Sequence, residues 1–183
     1  MNLTIHIFLE QPRSGRFVFN PVAEDVRSLQ DEVRSAFGWS LEADETSARE
    51  MAHHFSIPEP FGQSSWSISS RHSQLVRLQE NLHSAKRLIV VGAGSESVIA
   101  DEYPDALFIA ADGAVGAIDD RSRILCVVSD GDGAEHLAFA AQSGVHIVLH
   151  AHGDNGDIWK ELVATWSTFE QPPSLTLHQS MKE

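Results

Sequence analysis

The sequence has few of the features that mark secreted, membrane or nucleic-acid-binding proteins. Its 183 residues include a single cysteine, Cys126, which excludes an internal disulfide and fits a reducing compartment. No stretch approaches the roughly 18 consecutive apolar residues that a membrane-spanning helix requires. Residues 1–13 (MNLTIHIFLEQPR) show no signal-peptide cleavage pattern. We therefore expect a cytoplasmic protein that does not bind membranes.

Basic residues are scarce as well. Lysine and arginine together number 13 against 26 acidic residues, which gives a formal net charge of -13. This charge disfavours non-specific binding to nucleic acid or to anionic membranes, so neither is an expected partner. Apolar residues make up 42% of the chain, which is enough for a packed core in one domain with or without a small appendage.

Residues 1–85 are predicted to form a smaller, mainly helical N-terminal region. A strand candidate covers residues 3–9. Asn20 and Pro21 are typical of a helix start, and apolar residues then recur every three or four positions up to Phe37, just before Gly38. Further helices are predicted from about residue 44 and over residues 73–84, with a loop rich in Pro, Gly and Ser at 57–70.

Residues 86–183 show a different pattern, in which short apolar runs alternate with helix-like stretches. The runs lie at 88–91, 107–110, 124–128 and 145–149, with a further strand candidate at 174–178. The helix candidates are 95–101, 133–143 and 157–169. This alternation predicts an α/β fold, a three-layer Rossmann-like domain with a mostly parallel sheet. Because the carboxyl ends of such strands share one edge, ligand-binding motifs are expected directly after the strands.

A glycine-containing turn, Gly92-Ala93-Gly94-Ser95, follows the first predicted strand. Glycines let the backbone approach a phosphate closely, and the N-terminus of the helix predicted at 95–101 would supply free N–H donors. A tight turn between a strand and a helix uses glycine for steric reasons alone, so this motif leaves both interpretations open.

Aspartates follow the second and third predicted strands. Asp112 lies 20 residues after Gly92, the separation at which a dinucleotide-binding fold places its ribose-binding acid. Asp130 and Asp132 can together hold a hard divalent cation. Their spacing resembles part of an EF-hand loop, but Ala141 stands where that loop needs a glutamate. For all three aspartates a solvated acidic turn remains the alternative.

The fourth predicted strand ends in the hexapeptide HAHGDN, which contains His150, His152, Asp154 and Asn155. In an extended segment the two histidines point to the same side, as in zinc sites with an HxHxD pattern. Metallo-β-lactamase-like hydrolases have histidine at the position of Asn155. Only one histidine, His178, follows in the chain. The ligands of a two-metal zinc site are therefore too few, and we exclude zinc hydrolysis.

The four motifs together predict more than any one of them alone. If their strands lie in one parallel sheet, four carboxylates converge on one edge, where they would repel one another. Divalent cations would remove this repulsion and would attract a polyphosphate. The sequence therefore predicts metal-assisted phosphoryl or pyrophosphoryl transfer. The four carboxylates are those of Asp112, Asp130, Asp132 and Asp154.

The same motifs carry a resemblance to a known family. In order and spacing, VVGAG (90–94), AADGA (110–114), VSDGDG (128–133) and HAHGDN (150–155) resemble the archaeal 6-hydroxymethyl-7,8-dihydropterin pyrophosphokinase family. The fold of that family is related to thiamin pyrophosphokinase. The segment AFGWSLEADETSA (36–48) also looks like the N-terminal region of the family. The resemblance covers most of residues 36–165.

The resemblance implies Mg²⁺-dependent transfer of the β,γ-diphosphate of ATP to the hydroxymethyl group of a reduced pterin, with release of AMP. A histidine of HAHGDN is the expected proton acceptor for the attacking hydroxyl. The implied metal ligands are Asp112, Asp130, Asp132 and Asp154. The implied catalytic residues are Asp130, Asp132, His150 and Asp154. The implied contacts to the nucleotide or the pterin are Gly92, Ala93, Gly94, Ser95, His152 and Asn155.

Two alternatives to this enzyme stay open. The family continues beyond HAHGDN into a glycine-rich segment with an Asp-Gly-Asp-Arg pattern, which this sequence lacks, and Arg87, Arg121 and Arg123 are the remaining candidate cations. One alternative is therefore a nucleotide-binding protein of the same family without catalytic activity, and a homodimer could also complete the site. The other is a Rossmann dinucleotide-binding enzyme, which would explain Gly92, Gly94 and Asp112.

Overall fold

The computed structural model describes residues 24–38, 40–95, 97–153 and 155–179. These residues form five α-helices and five β-strands, and short 3₁₀ turns lie between them. The helices are α1 (Glu24–Phe37), α2 (Leu41–His54), α3 (Ile68–Ser84), α4 (Ala134–Gln142) and α5 (Gly156–Trp166). The strands are β1 (Arg87–Val91), β2 (Ala106–Ala111), β3 (Ile124–Ser129), β4 (Ile147–Ala151) and β5 (Leu175–Gln179).

The strands form one sheet that is parallel throughout, with the order β1-β2-β3-β4-β5. The predicted three-layer Rossmann-like α/β fold is confirmed, as are all five strands of the second half to within two residues at each end. Because the order follows the chain, right-handed crossovers place all four connections on the same face of the sheet. Among the five described strands the order is therefore never reversed, and such a reversal is the feature that opens the nucleotide crevice in doubly wound sheets.

Two apolar cores cover the two faces of the sheet. On one face, Phe108, Val127 and Leu149 of the central strands pack with Leu137 of α4 and Trp159 of α5. A smaller cluster joins Leu78 of α3 to β3 on the other face. The first core also contains residues from the helical region, so it extends across the boundary predicted at residue 85. These residues are Met51, Phe55 and Trp66.

The prediction of a helix at 95–101 is wrong. The backbone of Val98 instead forms an isolated parallel bridge with Ile118, and its N–H donates to the carbonyl of Ala117 at 2.8 Å. A 3₁₀ turn at Ala100–Glu102 follows. These long-range bonds satisfy the backbone groups that a helix would have paired locally, and therefore an extended connection replaces it.

The helices of the first half are present, but two of them begin earlier than predicted. Ser40 caps α2 by accepting the Ala43 N–H, so α2 starts at Leu41 rather than near residue 44. Ser67 caps α3 in the same way, and this helix therefore begins inside the predicted loop. The strand predicted at 3–9 lies outside the described residues.

The amphipathic stretch before Gly38 forms α1, which ends at Phe37 as predicted, whereas the predicted helix start at Asn20 and Pro21 lies outside the described residues. Its apolar stripe is nevertheless open to solvent, since Leu29 is 58% and Phe37 68% exposed. A buried ion pair between Arg34 and Asp44 joins α1 to α2 instead. Across the ranges that the structure describes, none of the helices has the length and apolarity needed to cross a membrane.

Candidate functional site

The carboxyl edge of the sheet brings four of the predicted site residues into one hydrogen-bonded chain. The Oδ1 atom of Asp112 accepts the backbone N–H of Asp130 at 3.2 Å. The Oδ2 atom of Asp130 lies 2.8 Å from Nε2 of His152. Asp132 is exposed beside them, and its N–H donates to Oδ1 of Asp130. The turns after β2, β3 and β4 therefore meet, as the parallel sheet predicts.

The two partly buried carboxylates differ in proton affinity. Burial raises the pKa of Asp112, and the nearby charges of Asp130 and Asp132 raise it further, against the lowering effect of a hydrogen bond with Ser129. The hydrogen bond with His152 lowers the pKa of Asp130 to about 2, although burial opposes this shift. Asp130 therefore carries its negative charge at any ordinary pH. The repulsion between the neighbouring carboxylates is expressed in the raised pKa of Asp112.

Close backbone packing brings these acidic turns together. A Cβ atom on Gly133 would lie 2.5 Å from the Cα atom of Gly113, so the turns after β2 and β3 touch through their glycines. Gly131 lies between the two aspartates with a φ of +115°, and a Cβ there would lie 2.5 Å from Cγ2 of Ile158. The turn thus requires glycine both for its conformation and for its contact with α5.

We expect the variant Gly131→Ala to lower the free energy of unfolding by about 3 kcal/mol, because it combines backbone strain with a steric clash. Urea denaturation of purified protein measures this change. Gly92→Ala is the matched control, since Gly92 has open space around its Cα and no positive φ. Its loss should stay below about 1 kcal/mol. Equal losses in the two variants would contradict the crowding at Gly131.

A partly buried histidine pair lies next to the acidic turns. Nδ1 of His150 is 2.8 Å from Nδ1 of His178, and the rings of His150 and His152 lie 5.3 Å apart. Burial lowers the pKa of His150 to about 3, and the neighbouring His178 and His152 lower it further. A neutral imidazole with so low a pKa is a weak proton acceptor, which disfavours the predicted catalytic role of His150. His178, the histidine that follows HAHGDN, joins the cluster through β5.

Two partly buried histidines, His146 and His150, predict loss of stability on mild acidification. The pKa of His150 is about 3, and burial, followed by the charge of Arg77, lowers the pKa of His146 to about 4. Both rings stay neutral in the folded protein, whereas the unfolded chain binds protons near pH 6.5. Their contribution to stability is therefore present above pH 6.5 and is lost as the pH falls towards 4.

We expect each of these two histidines to cost about 2 kcal/mol of unfolding free energy between pH 7 and pH 5. Urea denaturation at the two pH values measures the loss. The variant His146→Gln should lose about 2 kcal/mol less than the wild type between the two pH values, because it lacks one of the two histidines. The variant His72→Gln, at an exposed position, should lose as much as the wild type. A pH dependence that is the same in all three proteins would contradict the assignment.

Asn155 holds the site together from within. Its side chain is buried, at 3% exposure, and its Nδ2 donates to the carbonyls of Asp130 and His150. Its Oδ1 accepts the N–H of His152 and the hydroxyl of Ser47. The amide is thus fully engaged inside the protein, which disfavours the predicted direct contact with a nucleotide or pterin and indicates a role in positioning the turns.

Helix α2 supplies two residues to this edge that sequence reasoning did not identify as site residues. Ser47 contacts Asn155, and Oδ1 of Asp44 accepts the Gly153 N–H at 2.6 Å. Asp44 also pairs with Nε of Arg34 at 2.5 Å. The sequence contains a signal for this role. Asp44 and Ser47 lie at helical spacing from the apolar Ala48 and Met51, so two polar side chains share the buried face of α2 and need polar partners there.

The structure around the predicted phosphate-binding turn, residues 92–95, supports its predicted role less than it supports that of the aspartate turns. Ala93, Gly94 and Ser95 are exposed, and the Ser95 N–H donates to the carbonyl of Gly92. Because no helix begins here in the part of the chain that the structure describes, the expected row of free N–H donors is missing. The turn lies at the same edge as the aspartates, on the outer strand β1.

The three candidate arginines lie at the opposite edge. Arg87 begins β1, and Arg121 and Arg123 directly precede β3. The Arg123 guanidinium donates to the carbonyls of Ala100, Tyr103 and Ala106, and that of Arg121 lies 3.6 Å from the ring centroid of Phe139. None of the three can therefore contact a phosphate at the carboxyl edge. Asp154, predicted as a metal ligand and catalytic residue, lies outside the described residues.

The described residues contain no group of three or more His, Cys, Asp or Glu side chains placed to hold a metal ion. Asp112 and Asp130 still fit a magnesium ion, because Mg²⁺ is commonly bound by one or two carboxylates and completes its shell with water and phosphate oxygens. Comparison of the chain with models of known protein families and with curated proteins finds no match.

Proposed function

We propose that the carboxyl edge of the sheet carries out Mg²⁺-dependent transfer of diphosphate from ATP to 6-hydroxymethyl-7,8-dihydropterin, releasing AMP. The observation that carries this proposal is the pairing of Asp112 with Asp130 across the turns after β2 and β3. The resemblance of the four motifs to the pterin pyrophosphokinase family supplies the choice of acceptor. A chain of charge -13 has little electrostatic reason to gather further acids unless a cation is shared among them.

The carboxylates have the chemistry to hold magnesium. Oδ2 of Asp130 bonds to His152 and Oδ1 to the Asp132 N–H, but each carboxylate oxygen has a second lone pair for a cation. Asp112 keeps acceptor capacity in the same way. When bound, Mg²⁺ would supply the positive charge that brings these acids and the phosphates of ATP together. Asp154 completes the proposed set of metal ligands.

Proton transfer is the remaining task of the protein. The pterin hydroxyl oxygen would form a bond to the β-phosphorus of ATP as the bond from that phosphorus to the α,β-bridging oxygen breaks, and the hydroxyl proton needs an acceptor. His152 is better placed for this role than His150, because it reaches the edge beyond β4 and Asp130 orients its ring. We therefore assign His150 and Asn155 to the support of the site.

The test is incubation of the protein with ATP, Mg²⁺ and the reduced pterin, followed by chromatography of the nucleotides. The proposal predicts AMP as the product and a rate reduced about a hundredfold or more in Asp112→Asn. The exposed Asp101→Asn serves as the control and should keep full activity. Release of ADP, or absence of turnover in the wild-type protein, would count against the proposal.

A nucleotide-binding protein without catalytic activity is the second candidate. It is favoured by the position of Arg87, Arg121 and Arg123 at the amino edge, away from the transferring phosphates. Calorimetry that detects ATP binding without any AMP release would support it. A dinucleotide-binding enzyme has less support, because its pyrophosphate site needs a helix directly after the glycine turn.

A further inference from the structure

A cavity lies at the amino edge of the sheet, between α3 and the segments that precede β3, β4 and β5. Its volume is about 360 Å³, within the range of small-molecule sites. We call it the amino-edge cleft and define it by its polar lining. That lining consists of Gln74, Arg77, Asn81, Arg121, Ser122, Ser143, His146 and Ser174.

The charge of this cleft is opposite to that of the whole protein. The chain has twice as many acidic as basic residues, yet among the described residues no carboxylate lines the cleft and two arginines do. Two acids, Glu80 and Asp120, directly precede lining residues in the chain, but neither lines the cleft. Asp120 uses Oδ1 to accept both the N–H and the hydroxyl of Ser122. Because salt screens charges beyond about 8 Å at physiological ionic strength, this local composition outweighs the net charge for a ligand in the cleft.

The cations of the cleft are available to a ligand. Arg77 is exposed on α3 and has neither an ion pair nor a hydrogen bond from its guanidinium to any residue in the described ranges. Arg121 lies over the ring of Phe139, which fixes its guanidinium plane without using its donors. On the floor, Nε2 of His146 bonds to the Thr176 hydroxyl at 3.0 Å, which orients the ring.

We propose that the amino-edge cleft binds a small phosphate monoester, whose dianion lies between Arg77 and Arg121. Two guanidinium groups match a phosphate dianion in charge and offer bidentate hydrogen bonds, whereas a monoanionic carboxylate would need only one. Amide and hydroxyl groups of Asn81 and Ser174 are suited to the polar, uncharged remainder of such a molecule.

This cleft is separate from the candidate site for ATP. The strands between the two edges have five or six residues, which places the edges about 17–20 Å apart. The proposal therefore does not depend on the proposed function. Measurements in EDTA distinguish phosphate binding in the cleft from phosphate binding at the acidic carboxyl edge, because that edge repels phosphate when no divalent cation is present.

Calorimetry with ribose 5-phosphate, in EDTA and at physiological ionic strength, tests the proposal, with ribose and inorganic phosphate as separate arms. We expect saturable binding of ribose 5-phosphate with a Kd of about 1 mM or tighter and no binding of ribose. Inorganic phosphate should compete for the same site. Arg77→Gln and Arg121→Gln should each weaken binding about tenfold, the usual effect of removing one charged hydrogen-bonding partner.

Arg87→Gln is the matched control, because it removes one arginine charge at the same edge without touching the cleft. It should change the Kd less than about twofold. Arg77 is exposed on its helix, so Arg77→Gln folds normally and keeps the test valid even if Arg121→Gln is unstable. Absence of saturable binding, equal binding of ribose, or equal weakening in Arg87→Gln and Arg77→Gln would overturn the proposal.

Discussion

The variant Asn155→Ala is expected to lose about 3–5 kcal/mol of unfolding free energy, a large part of the stability of an ordinary domain. The substitution removes a hydrogen-bonding partner from four groups, one of them buried and three partly buried. The carbonyls of Asp130 and His150 lose their donor, and the N–H of His152 and the hydroxyl of Ser47 lose their acceptor. Each unsatisfied buried group costs about 1–3 kcal/mol, part of which relaxation and water entry recover.

Chemical denaturation in urea measures this loss, and two further variants make its interpretation specific. Asn155→Asp keeps the acceptor oxygen but points a second oxygen at two carbonyls, so it should be about as harmful as alanine. Asn81→Ala, an exposed asparagine on α3, should change stability by less than about 0.5 kcal/mol. A small loss in Asn155→Ala, or a mild effect of Asn155→Asp, would show that the amide does not hold these turns.

The second large effect is expected for Asp44→Ala, at about 3 kcal/mol. Asp44 is 4% exposed, and it pairs with the buried Arg34 while accepting the N–H of Gly153. Its removal leaves a buried guanidinium and a backbone donor without this partner. Asp31 also contacts Arg34, at 3.3 Å, and offsets part of the lost attraction. The offset is only partial, because the Asp31 side chain is half exposed and water screens its charge.

The control for Asp44→Ala lies one residue further along the same helix. Glu45 pairs with Arg49 on the surface of α2, and Glu45→Ala should cost less than about 1 kcal/mol. The double variant Arg34→Met/Asp44→Ala should recover part of the loss, because it removes the stranded charge as well. A double variant that is less stable than Asp44→Ala would contradict the view that the unpaired arginine dominates the cost.

The parallel sheet could be predicted from the sequence because its information is local. Apolar runs followed by glycine- or acid-containing turns place β1 to β4 within two residues of their observed ends, and the separate candidate at 174–178 does the same for β5. Parallel topology then brings the turns that contain Asp112 and Asp130 to one edge, where they hydrogen-bond. Thus the convergence of these two aspartates follows from periodicity and from the geometry of crossovers alone.

The remaining features depend on long-range contacts that no local pattern reveals. The stretch 95–101 has helix-like composition, but Val98 pairs with a segment 20 residues away. Asn155 looks like a ligand contact until its four partners, one of them on α2, are known. Similarly, the exposed stripe of α1 has a periodicity that is typical of burial. In each case tertiary partners decide the outcome.

The central claim is that the acidic edge is a magnesium-dependent nucleotide site, and binding of a non-hydrolysable ATP analogue tests it most directly. Calorimetry would compare the wild-type protein, Asp112→Asn and the control Asp101→Asn, each with Mg²⁺ and with EDTA. We predict binding that requires Mg²⁺ in the wild type and in Asp101→Asn, and affinity about tenfold or more weaker in Asp112→Asn. Binding that is indifferent to EDTA, or unchanged in Asp112→Asn, would contradict the claim.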